Sequence, residues 1–194
     1  MKTKKFKKDT IYKLAVIGLL TALAAVMGLI KIPISGTSNY VTLVLPVIVI
    51  GGALYGPLVG AWLTVIPNII AIPGAGLFLV ESPVGCAITL ILKGLLAGAA
   101  ASVVYKLLSK KHSIGAVTCA AVVAPVINTG VFVLGCYIFI WDSLVSTAAE
   151  AGVGIALLLI GLAGINFVVE LIINIILCPS ILRIIQLASK GKKI

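Results

Sequence analysis

Apolar residues along this chain come in long unbroken runs, not in the short alternating stripes of a half-buried strand. Six runs cover roughly 11–30, 41–54, 58–72, the stretch from near Ser82 to near Lys106, 114–140 and 153–177. Between them lie brief segments carrying Pro, Gly, Ser or charge. A helix of about 20 apolar residues crosses the hydrocarbon of a bilayer, so runs bounded by polar residues predict membrane-crossing helices. The pattern predicts an all-α membrane protein, six transmembrane helices in a single compact bundle. Residues 1–10 form a basic leading segment, 11–186 the transmembrane domain and 187–194 a basic tail.

The interruptions refine this picture. Lys31 to Tyr40 reads as a Pro/Gly/Ser loop and Tyr55-Gly56-Pro57 as a tight turn. Pro67 removes a backbone hydrogen bond in mid-helix, which predicts a kink or break near Asn68. Ile72 to Ser82 reads as a loop, apolar enough to act as a lid or to lie in the membrane interface. Asp142 to Gly152 reads as a second polar loop, and Pro179 as the start of the exit from the last helix.

Composition agrees with the pattern. The chain has 194 residues, 61% of them hydrophobic and only 10% charged, and a mean hydropathy of +1.28. No water-soluble domain of this length reads that way. The net charge of +10 invites a nucleic-acid reading, but its placement argues against one. Of fifteen Lys and Arg, all but Lys31 and Lys93 fall in three places: the start of the chain through Lys13, the patch Lys106–Lys111, and the end after the last run. Short cytoplasmic segments are enriched in Lys and Arg, so these three mark the cytoplasmic side of a cell-membrane protein, with both termini inside.

Candidate chemistry is sparse. The cysteines Cys86, Cys119, Cys136 and Cys178 stand apart within apolar runs, without metal-ligand or redox spacing, and read as small core residues. No metalloprotease, hydrolase or Walker A motif occurs, so the sequence offers no catalytic residue, metal site or cofactor site, and any ATP-driven step needs a partner. What stands out is polarity at membrane depth, which is costly and tends to be paired or functional. Lys93 and Glu170 are the two ionisable residues there, and Asn166, Glu170 and Asn174 recur every four residues on one helix stripe. Lys93 and Glu170 are expected to pair in the bundle interior. Three roles stay open for that pair: fixing helix register, contacting a ligand or relaying protons. Asn68, Thr89, Asn128, Thr129 and Asn166 are the remaining buried polar groups, each explicable as a helix–helix hydrogen bond, with Asn128 near Pro125 the best ligand candidate. On the first helix, Gly18, Ala22 and Ala25 leave one face nearly free of side-chain bulk, suited to close approach by another helix.

Taken together, several features resemble the substrate-binding (S) components of energy-coupling factor transporters, the vitamin importers of bacteria and archaea. The resemblance rests on length, six helices, the small-residue first helix, GGALYGPLVGA (Gly51–Ala61), Lys93-Gly94-Leu95-Leu96-Ala97-Gly98 with Tyr105-Lys106, and Pro125-Val126-Ile127-Asn128-Thr129. It implies a subunit that binds a vitamin from outside, and that releases it inside when a transmembrane coupling subunit and two cytoplasmic ATPases drive it to topple. It further implies a pocket drawing on Asn39, Tyr40, Phe78, Glu81, Asn128, Thr129 and Asn166. Gly18, Ala22 and Ala25 would face the coupling subunit, a variant of the family's Ala-x-x-x-Ala face. Pantothenate, folate and riboflavin are the first vitamins to consider. The rival reading is a self-sufficient secondary transporter or channel acting as an oligomer. It calls for inverted repeats or an ion path, and neither is evident.

Overall fold

A computed structural model describes residues 2–33, 40–110 and 113–190. Nearly all of them are helical. Helix α1 (Lys2–Leu29) carries the leading basic segment as part of its own first turns. A two-residue antiparallel pair follows, β1 (Ile32–Pro33) against β2 (Tyr40–Val41), with Ile32 opposite Val41 and Pro33 opposite Tyr40. Then come α2 (Val44–Tyr55), α3 (Pro57–Trp62), α4 (Val65–Ala71), a 3₁₀ turn at Ile72–Gly74 and the short α5 (Leu77–Glu81). Two long helices, α6 (Pro83–Leu108) and α7 (Ser113–Phe139), form the most extensively packed pair. The chain closes with α8 (Trp141–Glu150), α9 (Ile155–Leu159), a π turn at Ile160–Gly164 and α10 (Ile165–Lys190).

Five helical segments are long and apolar enough to cross a membrane: Thr10–Leu29, Pro57–Gly74, Pro83–Leu108, Ser113–Phe139 and Ile155–Ala188. The remaining apolar helix, α2, has only 12 residues. It begins three residues later than the hydropathy run, because Tyr40 and Val41 belong to the β pair. Val44 through Gly52 are all buried, so α2 is the centre of the bundle, wrapped by α1, α3, α6, α7 and α10. The outer surface is apolar: Leu58 is 88%, Val80 77% and Leu19 71% exposed. Such a surface is at home in lipid and a liability in water.

Several boundaries differ from the sequence expectation for identifiable reasons. The break in the third run lies at Leu63–Thr64, not at Asn68. Proline disrupts the helix at the carbonyl four residues before it, and for Pro67 that residue is Leu63. There the chain tightens, with Thr64 N–H donating to the Ala61 carbonyl at 3.1 Å and Thr64 Oγ1 donating to the same oxygen at 2.6 Å. Pro67 itself sits in the first turn of α4, where its missing N–H is tolerated. Pro179 does not end the last helix, which runs through it to Lys190, so residues 187–190 continue α10. Surrounded by lipid, a backbone that left the helix would find no other partners for its polar groups. The two expected loops contain α5 and α8, and α8 is amphipathic, burying Leu144 and Ala148. Among the cysteines, Cys86, Cys136 and Cys178 are buried as expected, whereas Cys119 is exposed.

Glycines let α3 cross α6 closely. A Cβ at Gly98 would lie 2.6 Å from the carbonyl carbon of Gly60 and 3.0 Å from Ala61 N. One at Gly60 would lie 2.6 Å from the Gly98 oxygen. This backbone-to-backbone contact brings α4, the continuation of α3, against the middle of α6, where Lys93 sits.

Candidate functional site

The polar residues of four helices meet at one cavity of about 200 Å³. Helix α6 brings Leu90 and Lys93, one helical turn apart. Asn128 and Phe132 come from α7, Pro67 and Asn68 from α4, and Asn166 and Glu170 from the start of α10. Leu162, in the π turn, extends the α10 stripe upward at the same spacing of four. A single π turn inside a longer helix is a common feature of functional sites. Thr42, Val44 and Leu45 close the side next to β2, and Gly28 of α1 reaches the same wall. A smaller lobe of about 70 Å³ shares Lys93, Asn128, Phe132, Leu162 and Asn166 and adds Thr129 and Ala163.

Charge in the cavity is balanced but not closed on itself. The Lys93 ammonium lies 5.1 Å from the centre of the Phe132 ring, a cation–π contact. Glu170 is 7% exposed. Its Oε1 accepts a hydrogen bond from Asn166 Nδ2 at 3.3 Å, while Oε2 has no hydrogen-bond partner. The Asn166 oxygen Oδ1 is likewise buried and unpartnered. Lys93 and Glu170 thus line one cavity, each with its own neighbour. A turn further along α10, Asn174 is 1% exposed and neither amide atom has a partner. Gly94, beside Lys93, leaves room for Asn68: a Cβ there would stand 2.9 Å from the Asn68 Cγ.

The other residues singled out from the sequence lie around this centre at different depths. Phe78 is 2% exposed and meets Phe132 edge-on, ring centres 6.0 Å apart, so it backs the cavity wall from behind. Glu81, at the end of α5, is exposed and accepts a hydrogen bond from Ser143 Oγ of α8 at 2.9 Å, tying the two short helices together. Tyr40 stands in β2, two residues from the lining Thr42, and β2 packs against α10. Asn39 lies outside the described residues. On α1, Gly18 and Ala22 are exposed and Ala25 half-buried, with nothing within 4 Å of a Cβ placed on Gly18. Asn68 and Thr42 enter the cavity without having been singled out as ligand contacts. Asn68 carried a signal, a polar residue beside a mid-run proline, whereas Thr42 lay in what read as an ordinary helix start.

A bundle that is apolar outward and, among its described residues, gathers its polar side chains around a small cavity has the build of a membrane protein able to take a small molecule. A family model for the substrate-specific component of the ECF transporters matches residues 12–182, and the chain belongs to that family. It is a membrane transport protein, the substrate-binding subunit of an energy-coupling factor transporter. Neither the curated proteins nor the solved structures yield a match to the chain.

Proposed function

We propose that this subunit captures a vitamin or related micronutrient from outside the cell. It delivers the molecule inward together with a transmembrane coupling subunit and two cytoplasmic ATPases. The observation that carries this reading is the cavity, where Lys93, Asn128, Asn166 and Glu170 converge from three helices inside an otherwise apolar bundle. Asn128, Thr129 and Asn166 contact the captured molecule, and Tyr40, Phe78 and Glu81, with Asn39, belong to the segments that cover it. Lys93 and Glu170 act as a charge pair across the cavity.

In this reading the chain crosses the membrane six times, with both termini in the cytoplasm of a cell-membrane protein. Helix α2 is the sixth crossing. At about 1.5 Å per residue it is short for the hydrocarbon, and its neighbours shield it from lipid. The three basic segments support the orientation by the enrichment of Lys and Arg in short cytoplasmic segments. The small-residue face of α1, exposed at Gly18 and Ala22 and half-buried at Ala25, is where the coupling subunit docks. The test is co-expression with a coupling subunit and its two ATPases, followed by purification through a tag on this chain. Recovery of one complex holding all four proteins is expected. Recovery of this chain only as its own oligomer would contradict the reading.

A further inference from the structure

The polar groups of the cavity specify more than a small molecule. The wall carries one ammonium, Lys93, and one carboxylate, Glu170. Glu170 has spent one oxygen on Asn166, and in doing so has fixed that amide with its nitrogen toward the carboxylate. This leaves two neighbouring acceptors, Glu170 Oε2 and Asn166 Oδ1, buried with no donor. Unmet acceptors at this depth are costly, and a carboxylate oxygen most of all. What satisfies them must bring N–H or O–H donors, and an ammonium or amine does so best. Lys93 asks for the opposite. Its ammonium rests on the face of Phe132, whose ring offers no charge-assisted hydrogen bond, so a carboxylate from the ligand is its natural complement.

Size narrows the class again. An apolar cavity of about 150 Å³ is known to admit benzene, so the part of a ligand held within about 200 Å³ here has roughly eight to twelve non-hydrogen atoms. Fused-ring vitamins such as folate and riboflavin would extend out of this volume. The apolar wall of Leu90, Phe132 and Leu162 suits one ring or a short branched chain between the two charged ends.

We propose that the cavity takes a small amphoteric molecule of the amino-acid type, its carboxylate on Lys93 and its amine on Glu170 Oε2 and Asn166 Oδ1. This rests on the reading of the chain as the substrate-binding subunit and names the substrate class of that same site. A purely anionic ligand leaves the two acceptors unmet, and a purely cationic one leaves the Lys93 ammonium without a charge-assisted hydrogen bond.

The test is equilibrium dialysis of the full-length purified chain against a defined equimolar mixture, read by mass spectrometry. The mixture holds the twenty standard amino acids, pantothenate, nicotinate, thiamin, riboflavin and folate. Retention of an amino acid is expected. Glu170→Gln and Lys93→Met should each weaken that retention about tenfold or more, the effect of losing one charge-assisted hydrogen bond. Thermal unfolding without ligand identifies any variant that fails to fold, and the identity of the compound retained by the unmodified chain decides the class regardless. Retention of thiamin, riboflavin, folate or a simple acid overturns the amphoteric class. If that compound is then taken up with coupling subunit, ATPases and ATP, the proposed function stands. An amino acid retained equally by both folded variants overturns the assignment to Lys93 and Glu170. Retention of nothing overturns the amphoteric class, and no uptake by the full complex either overturns the proposed function with it.

Discussion

Gly98 and Gly60 determine how closely α6 and α3 cross, and the atoms nearest a Cβ on Gly98 all belong to the backbone of Gly60 and Ala61. No side chain can rotate away to admit a methyl group there. Gly98→Ala should therefore destabilise the isolated chain by about 1–3 kcal/mol, as overpacking does in other tight cores. Gly18→Ala, which adds the same methyl where nothing lies within 4 Å, should leave the melting temperature unchanged or slightly raised. Thermal unfolding of the two variants side by side, in one detergent, measures the contrast. Equal melting temperatures would mean that the helices do not cross as closely as described. At this scale the sequence was informative wherever polarity was expensive. Lys93, Asn128, Asn166 and Glu170 stand out because each interrupts an apolar run, and all four line the cavity. Phe132, Leu90 and Thr42 line it too, and nothing local separates them from their apolar or loop-like surroundings. Their role comes from which helices meet, and that is a tertiary fact.

Helix α1 stands apart from the other elements. Between Thr10 and Leu29 it is little covered by the rest of the chain, and only Ala24 and Gly28 of that span are buried. The exposed side holds Gly18 and Ala22, small enough for a partner's backbone to approach. Ala22→Leu should abolish co-purification with the coupling subunit while leaving melting temperature and ligand retention of the isolated chain unchanged. Loss of ligand retention in that variant would instead assign Ala22 to the bundle's own packing. Element boundaries were legible to different degrees. The long runs of α6 and α7 were read to within a residue or two, because capping and hydropathy agree: Ser82 accepts a hydrogen bond from Gly85 N at 3.3 Å where the run begins. The third and last runs were not. Pro67 acts on the carbonyl four residues upstream and moves the break to Leu63–Thr64, while Pro179 is absorbed within α10. The same residue type has opposite outcomes, decided by the partners available to the freed backbone groups.

For the whole molecule, the architecture divides labour between a centre and a rim. Helix α2 is buried almost throughout, so it ties the bundle together, while α6, α7 and α10 bring their polar residues to one level beside it. The short helices α5 and α8 are joined by Ser143 and Glu81 at one end of the bundle. No Walker A motif lies in the chain, and a cavity with one ammonium and one carboxylate can hold a molecule without driving it anywhere. In the proposed division of labour this chain binds and its partners supply the work. Uptake by proteoliposomes of the compound retained in dialysis tests it most directly, with the chain reconstituted alone or together with coupling subunit and ATPases. Tight binding but no uptake is expected of the chain alone, and uptake should require both the partners and ATP on the side where the ATPases face. Accumulation by the chain alone, driven by an ion gradient and indifferent to ATP, would contradict it.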